Sequence, residues 1–211
     1  DLIGTNTFAN QGEYDILIVK FDANGNVLWA DHNGGPTNDM GNAIAVDQSG
    51  NAFISGGFMS GTMTFPTATL TNPSPGIPDI FCVKYSPSGT EVWAKRAGDM
   101  GNDHSVTVAT DLSGNVYVAG HYHSTAFAFA GDSVRNNGMG DVYVLKYDNN
   151  GNEIWGRGFG GSMHDFGYAV TVDISGNVLL SGMFNSPTMT VGTTTLTNAS
   201  ISQDKIGRAH V

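Results

Sequence analysis

The sequence predicts an all-β fold assembled from repeated units, and two observations carry this prediction. One pattern, an Asp followed by four apolar or aromatic residues and a Lys, occurs at offsets of 64 and then 62 residues: Asp15–Lys20, Asp79–Lys84 and Asp141–Lys146. Other landmarks keep the same offsets, among them the tryptophans Trp29, Trp93 and Trp155. A fixed period of this length indicates one supersecondary unit used repeatedly.

Each unit contains four predicted strands. In one unit the first is Ala43–Asp47, built of small residues and followed by an Asp-x-Ser-Gly-Asn turn, where Asp bonds the backbone ahead and Gly takes a positive φ. The second strand is Asn51–Gly56, and a Thr- and Pro-rich excursion after it predicts a short hairpin or loop. The third strand, Asp79–Tyr85, leads through a Gly turn to the fourth, Glu91–Lys95. Four such strands form an antiparallel meander.

Four-stranded sheets arranged radially make the blades of a β-propeller, which is the architecture we predict. The small-residue strand is expected to line the crowded axis, and the Trp strand to lie outermost. The alternative is a β-solenoid, which is less favoured because its rungs are much shorter than 62 residues and need no four turn-separated strands.

The repeat divides the chain into two whole blades, at 42–103 and 104–165, and two partial ones. The partial blade at 1–41 contains only the last strands of a unit, and the one at 166–204 contains only the first strands. Residues 205–211 form a tail. This is about three and a third units, and a ring needs four to eight blades, so the terminal edges are expected to be unpaired. Gly207 and Arg208 break the strand pattern in the tail. Because a sequencing-adapter oligonucleotide encodes Ile206–Val211 in one frame, our hypothesis is adapter read-through on a truncated gene fragment.

One stretch carries a specific family resemblance. It runs from Trp93 through the Asp111-Leu-Ser-Gly-Asn115 turn and the Asp141–Tyr147 strand to Trp155. This pattern resembles the bacterial SBBP β-propeller repeat, and the resemblance covers roughly residues 1–204. It implies a repeat module of a large secreted or cell-surface bacterial protein. The Thr- and Pro-rich excursions make the present units longer than is usual for that pattern.

Composition excludes several function classes. The formal charge of −10 and the pI near 4.7 argue against binding to nucleic acids or anionic membranes, which needs basic patches. No apolar run reaches the roughly 20 residues needed to span a bilayer. The single cysteine, Cys82, lies inside a predicted strand and is expected to be a small buried hydrophobe.

Recurring aspartates are interpreted as architecture. We expect one set, in the connections between blades, to be buried or half-buried, to accept backbone hydrogen bonds and to tie one blade to the next: Asp39, Asp103 and Asp165. The alternative is a cation-binding ring of carboxylates at one propeller face. A second set forms the turns: Asp47, Asp111 and Asp173. The Asp22–Asn26 and Asp148–Asn152 turns resemble calcium loops but lack the six to eight oxygens that calcium takes. We therefore expect no cofactor, and calcium binding at these turns is the alternative.

The histidines are the candidate site residues that do not recur. His121 and His123 project to one face of a strand, and His104 belongs to the same unit. Three such residues in one blade could bind a transition metal, although scattered surface histidines are the simpler interpretation.

The function expected from these patterns is a non-catalytic scaffold that binds a protein or a glycan through its variable loops. The expected location is extracellular or on the surface of a bacterium, and the expected neighbours are the remaining blades of the full-length protein. The alternative is the propeller domain of a glycan-active hydrolase or lyase. It would require carboxylates or histidines unique to certain blades to converge at one propeller face. Glu13, Glu91 and Glu153 are the only glutamates, and the recurrence of Glu91 and Glu153 at one repeat position beside the Trp favours a strand-surface role. No nucleophile elbow supports covalent catalysis.

Overall fold

A computed structural model of the chain describes residues 2–3 and 6–199, and every element in this part of the chain is a β-strand. Residues 200–211 lie outside the described residues, and they include the end of the unit predicted over 166–204 and the predicted tail at 205–211. Within the described ranges, no helix is long and apolar enough to cross a membrane. The prediction of an all-β, propeller-like repeat fragment is confirmed.

The chain begins with two strand pairs, of which we call the second the leading pair. The first pair is β1 (Leu2–Ile3) and β2 (Asn6–Thr7), and the leading pair is β3 (Ile16–Phe21) and β4 (Val27–Asn33). Two complete four-stranded sheets follow, each with a two-stranded hairpin inserted after its second strand.

The first complete sheet consists of β5 (Asp39–Val46), β6 (Ala52–Phe58), β9 (Asp79–Tyr85) and β10 (Glu91–Ala97), with the inserted hairpin β7 (Thr62–Thr64) and β8 (Thr69–Thr71). The second complete sheet consists of β11 (Asp103–Thr110), β12 (Val116–Tyr122), β15 (Asp141–Tyr147) and β16 (Glu153–Phe159), with the hairpin β13 (Ala126–Phe129) and β14 (Asp132–Arg135). A trailing pair, β17 (Asp165–Val172) and β18 (Val178–Phe184), is followed by the hairpin β19 (Thr188–Val191) and β20 (Thr194–Thr197).

All pairings between these strands are antiparallel and follow chain order, so each complete sheet is a meander. The small-residue strand lies at one edge and the Trp strand at the opposite edge. The first strands start at Asp39, Asp103 and Asp165, one to three residues ahead of the unit boundaries taken from the repeat.

A register shift interrupts the first strand of every unit, between Ser105 and Thr107 in the second complete sheet. Gly120 lies opposite this bulge, where an added Cβ would be 2.0 Å from the carbonyl oxygen of His104. Glycine at this position therefore allows the two strands to approach closely at the point where His104 and His121 pair.

The hydrophobic core lies between the faces of neighbouring sheets. Its largest cluster joins residues of the first complete sheet, such as Phe53 and Cys82, to residues of the second, such as Tyr143 and Leu145. All four are fully buried, and Cys82 is therefore the small buried hydrophobe that the sequence predicts. Because one sheet covers the next, no unit buries its apolar faces alone.

Candidate functional site

The first feature that positions the site is an aspartate clasp, repeated in each unit and fully buried. The Oδ1 atom of Asp103 accepts hydrogen bonds from the backbone N–H groups of His123 and Ser124, both at 3.0 Å. Its Oδ2 atom accepts from Ser124 Oγ at 2.6 Å and from the Asp99 N–H at 3.0 Å. The clasp therefore fixes the residues after the second strand, including His123, to the start of the first. The other units repeat the Asp–Ser contact, with Asp39–Ser60 and Asp165–Ser186.

The second recurring aspartate shapes the turn between the first two strands. Asp111 Oδ1 accepts from the N–H groups of Ser113 and Asn115, and its Oδ2 accepts from Asn115 Nδ2 at 2.7 Å. The same bonds recur around Asp47, Asp173, Asp22 and Asp148.

Hydrogen bonds from the side chain and backbone of Asn26 lower the pKa of Asp22. Within the described residues, no group of three or more His, Cys, Asp or Glu is placed to hold a metal ion. These contacts describe an Asx turn, and calcium at the turns stays a prediction.

A third recurring feature connects neighbouring sheets through their outer strands. Trp93 Nε1 donates to the carbonyl oxygen of Asn149 at 3.1 Å, and Lys84 Nζ donates to the same oxygen at 3.0 Å. Gly151 lies in that turn with φ +79°, and an added Cβ would be 2.9 Å from the Trp93 ring. The preceding junction repeats the latch with Lys20, Trp29 and the carbonyl of Pro87.

Asp79, at the start of β9, is fully buried and forms an ion pair with Arg96. Burial raises the pKa of Asp79 to about 7, the nearby Asp103 adds to this, and the Arg96 guanidinium opposes it. In the next unit, Asp141 occupies the corresponding position, and burial raises its pKa as well. Its Oδ1 atom is buried with no hydrogen-bond partner among the described residues.

The glutamates of the outer strands hold the inserted hairpins. Glu91 is buried and accepts hydrogen bonds from the N–H and the hydroxyl of Thr67, at 3.0 and 2.6 Å, at the tip of the β7–β8 hairpin. Glu153 accepts from the Ala130 N–H at 2.6 Å, at the tip of the β13–β14 hairpin. These carboxylates therefore face hairpin backbone.

Four histidines that differ between units lie in a row at one end of the second complete sheet. We call them the histidine row: His104, His121, His123 and His164. His104 and His121 are cross-strand partners with ring centroids 5.3 Å apart. His121 and His123 are 6.0 Å apart, and His123 and His164 are 5.3 Å apart. The ring of Phe166 packs against the row, with its centroid 4.8 Å from that of His121. The structure thus brings together the three histidines that the sequence singles out, in a row.

The row is partly shielded from solvent, and this affects its protonation. Burial, together with the neighbouring His104, His123 and His164, lowers the pKa of His121 to about 4. Burial also lowers the pKa of His104, with His123 adding to the effect. The rings of His104 and His121 are therefore neutral near pH 7, and neutral imidazole is the form that offers a free nitrogen lone pair.

Sequence reasoning missed His164. It aligns with Asn102 and Asn38, one residue ahead of the clasp aspartate, so nothing in its own unit marked it as part of a cluster. Only the structure reveals it, through the parallel bridge of His164 to Gly140 that joins the trailing pair to the second complete sheet. The row therefore spans a junction between units, which a search within single repeats does not reveal.

Comparison with known proteins gives two similarities, and no family model matches the chain. A WD repeat-containing protein of Acanthamoeba polyphaga mimivirus is 27% identical over 206 residues, covering 87% of this chain and 15% of the relative. The regulatory protein FlaEY of Caulobacter vibrioides is 28% identical over 143 residues, covering 67% of this chain and 15% of the relative. The chain thus spans about 15% of the length of these curated relatives. The similarities agree with a repeat β protein, and membership of the SBBP family stays a prediction.

Proposed function

We propose that this chain is part of a β-propeller that acts as a non-catalytic scaffold and binds a protein partner through its variable loops. The proposal rests on the different positions of the polar residues that recur in each unit and of those that differ between units. Those that recur in each unit are engaged in clasps, turns and latches between or within sheets. The four histidines of the row, which differ between units, lie together at one end of the second complete sheet, and the inserted hairpins also differ in sequence between units. A rigid repeat with variable loops is a common basis for binding surfaces.

The open faces of the leading and trailing pairs support the propeller part of the proposal. Leu17 and Phe21 are 58% and 57% exposed, whereas their counterparts Phe81 and Tyr85 in the first complete sheet are fully buried. At the other end an apolar cavity of about 610 Å³ lies between the second complete sheet and the trailing pair. Further repeats of the same protein would cover both faces, as each complete sheet covers its neighbour.

The comparisons support the scaffold part. One relative is described as a WD repeat-containing protein, and a repeat of that kind fits a role in protein binding. The finer proposals are that the repeat is of the SBBP type, that the protein is secreted or displayed on a bacterial surface, and that a glycan is the alternative ligand. Low charge, abundant Gly and the acidic balance support an extracellular setting.

A binding screen with a turnover control tests this function. The purified chain would be applied to a peptide display library and to a glycan array, and bound ligands would then be incubated with the protein and analysed for cleavage. We expect saturable binding to a peptide sequence, without cleavage, that is lost when the exposed residues Pro66 and Asp132 at the hairpin tips are replaced by Gly or Ser. Cleavage of a glycan at a rate proportional to protein concentration would refute the scaffold and favour a propeller enzyme.

Fractionation of a bacterium that produces the full-length protein tests the proposed location. An antibody raised against the chain should detect it in the culture medium or on intact cells. Detection only in the cytoplasmic fraction would contradict the secreted or cell-surface setting and leave the scaffold proposal intact.

A further inference from the structure

His123 and His164 lie on either side of the junction between the second complete sheet and the trailing pair. Each has a ring nitrogen directed at the same small space beside Gly140. An ideal Cβ placed on Gly140 would lie 2.9 Å from His123 Nε2 and 3.1 Å from His164 Nδ1. The two nitrogens are therefore no more than about 6 Å apart, with a position between them that glycine keeps free of a side chain. The corresponding residues of the other units are Pro78 and Tyr14.

Hydrogen bonding sets the chemical state of His123. Its Nδ1 atom lies 2.8 Å from the carbonyl oxygen of Asn102, which only accepts hydrogen bonds. The hydrogen of the neutral ring is therefore on Nδ1, and Nε2 presents a lone pair toward the space beside Gly140. A backbone carbonyl on the far nitrogen is the usual second-shell partner of a histidine that binds a metal ion.

His164 supplies the second nitrogen. Its Nδ1 atom is buried and has no hydrogen-bond partner among the described residues. A buried polar atom without a partner costs free energy, so a ligand that engages it is favoured. The Nδ1 atom of His121, the next ring in the row, is buried without a partner in the same sense.

We propose that His123 Nε2 and His164 Nδ1 bind one divalent transition-metal ion of the kind that prefers imidazole, with water completing its coordination. Zinc, nickel and copper have this preference. Metal–nitrogen bonds of about 2.0–2.1 Å need the two nitrogens within about 4 Å of each other, so the rings rotate toward each other on binding. The ion ties the end of β12 to the start of β17. This proposal does not depend on the proposed scaffold function.

The units themselves supply the variants for the test. Asn185 replaces His123 in the trailing unit, and Asn102 replaces His164 in the preceding one, so His123→Asn and His164→Asn each introduce a residue that the fold already accepts. His32→Asn is the matched control, because His32 lies outside the histidine row. Gly140→Ala is a second kind of variant, which fills the space between the nitrogens and displaces the rings while keeping both histidines.

The experiment is calorimetric titration of the untagged 211-residue chain with Zn²⁺ alone, together with thermal unfolding with and without Zn²⁺. We expect one saturable Zn²⁺ per chain and a higher Tm with the metal, because the ion binds only the folded junction. Each His→Asn variant and Gly140→Ala should weaken binding by at least about tenfold, while His32→Asn leaves it unchanged. Absence of saturable binding to the folded chain, or equal affinity in all four variants, would overturn the proposal.

Discussion

Replacement of Asp103 by Asn gives the sharpest test of how the units are built. The side chains have the same shape, so Asn keeps the Oδ1 contacts with the two backbone N–H groups. The amide NH₂ that replaces Oδ2 cannot accept from the Asp99 N–H, whereas Ser124 Oγ can rotate its hydroxyl and accept from the amide. One charge-assisted hydrogen bond of about 1.5–3 kcal/mol is therefore lost, and the bond with Ser124 becomes a weaker bond between neutral groups. Release of a buried charge offsets part of this loss. We expect the free energy of unfolding to fall by about 2 kcal/mol.

The assay is urea unfolding at pH 7, followed by tryptophan fluorescence. The control is Asp99→Asn, which makes the same charge change at an exposed side chain and keeps its backbone donor. It should stay within about 0.5 kcal/mol of the wild type. A Ser124→Ala variant and the double variant complete a cycle, and we expect a coupling of about 1 kcal/mol or more. If Asp103→Asn is as stable as the control, the clasp does not hold the unit together and the reasoning is wrong.

Three further predictions concern the junctions and the core. Because burial raises the pKa of Asp79 from its ordinary value of 3.8 to about 7, its ionisation destabilises the fold, so its contribution to stability should increase as pH falls from 7 to 4. Arg96→Met should steepen this dependence, measured by urea unfolding at each pH. Gly151→Ala should cost about 1–3 kcal/mol more than Gly176→Ala, since both have positive φ and only the former meets an indole ring. Cys82, fully buried with its pKa raised by burial, should react with a thiol reagent only at the rate of unfolding.

Each has a result that contradicts it. If Asp79→Asn has the same dependence of stability on pH between 4 and 7 as the wild type, the pKa of Asp79 is not raised by folding; this comparison cancels the opposite contribution of His121 and His104, whose pKa values are lowered by burial. Equal costs of the two glycine substitutions would show that the latch turn has room for a side chain. Rapid labelling of Cys82 in the absence of denaturant would place it outside the core.

Much of the fold was predictable because the repeat supplies three examples of each position. The sequence predicts the third strand as Asp79–Tyr85, and β9 has these bounds. The sequence of the excursion, rich in Thr and Pro, suits both a hairpin and a loop, and in each unit it forms a hairpin. The contact of Lys84 with the next sheet has no sequence signature, since its acceptor is a carbonyl in the following unit, 65 residues away.

The candidate site was only partly predictable. His104, His121 and His123 stand out because other units have different residues there. His164 and Gly140 acquire meaning only when two units are placed side by side, and a spacing of 24 residues across a junction has no sequence signature. The Asp79–Arg96 pair was missed for a similar reason, because Arg96 occurs in one unit only and aligns with His32 and Gly158.

The most direct test of the account is an experimental structure of a longer form of the protein that contains the repeats on either side. We expect β18 to pair with a third strand of the Asp-to-Lys pattern and the sheets to continue around a closed ring. We also expect Lys146 and Trp155 to donate to a turn carbonyl of the next sheet, as their counterparts do in the two preceding junctions. Sheets stacked along a straight axis, without a ring or that latch, would contradict the propeller and favour a solenoid.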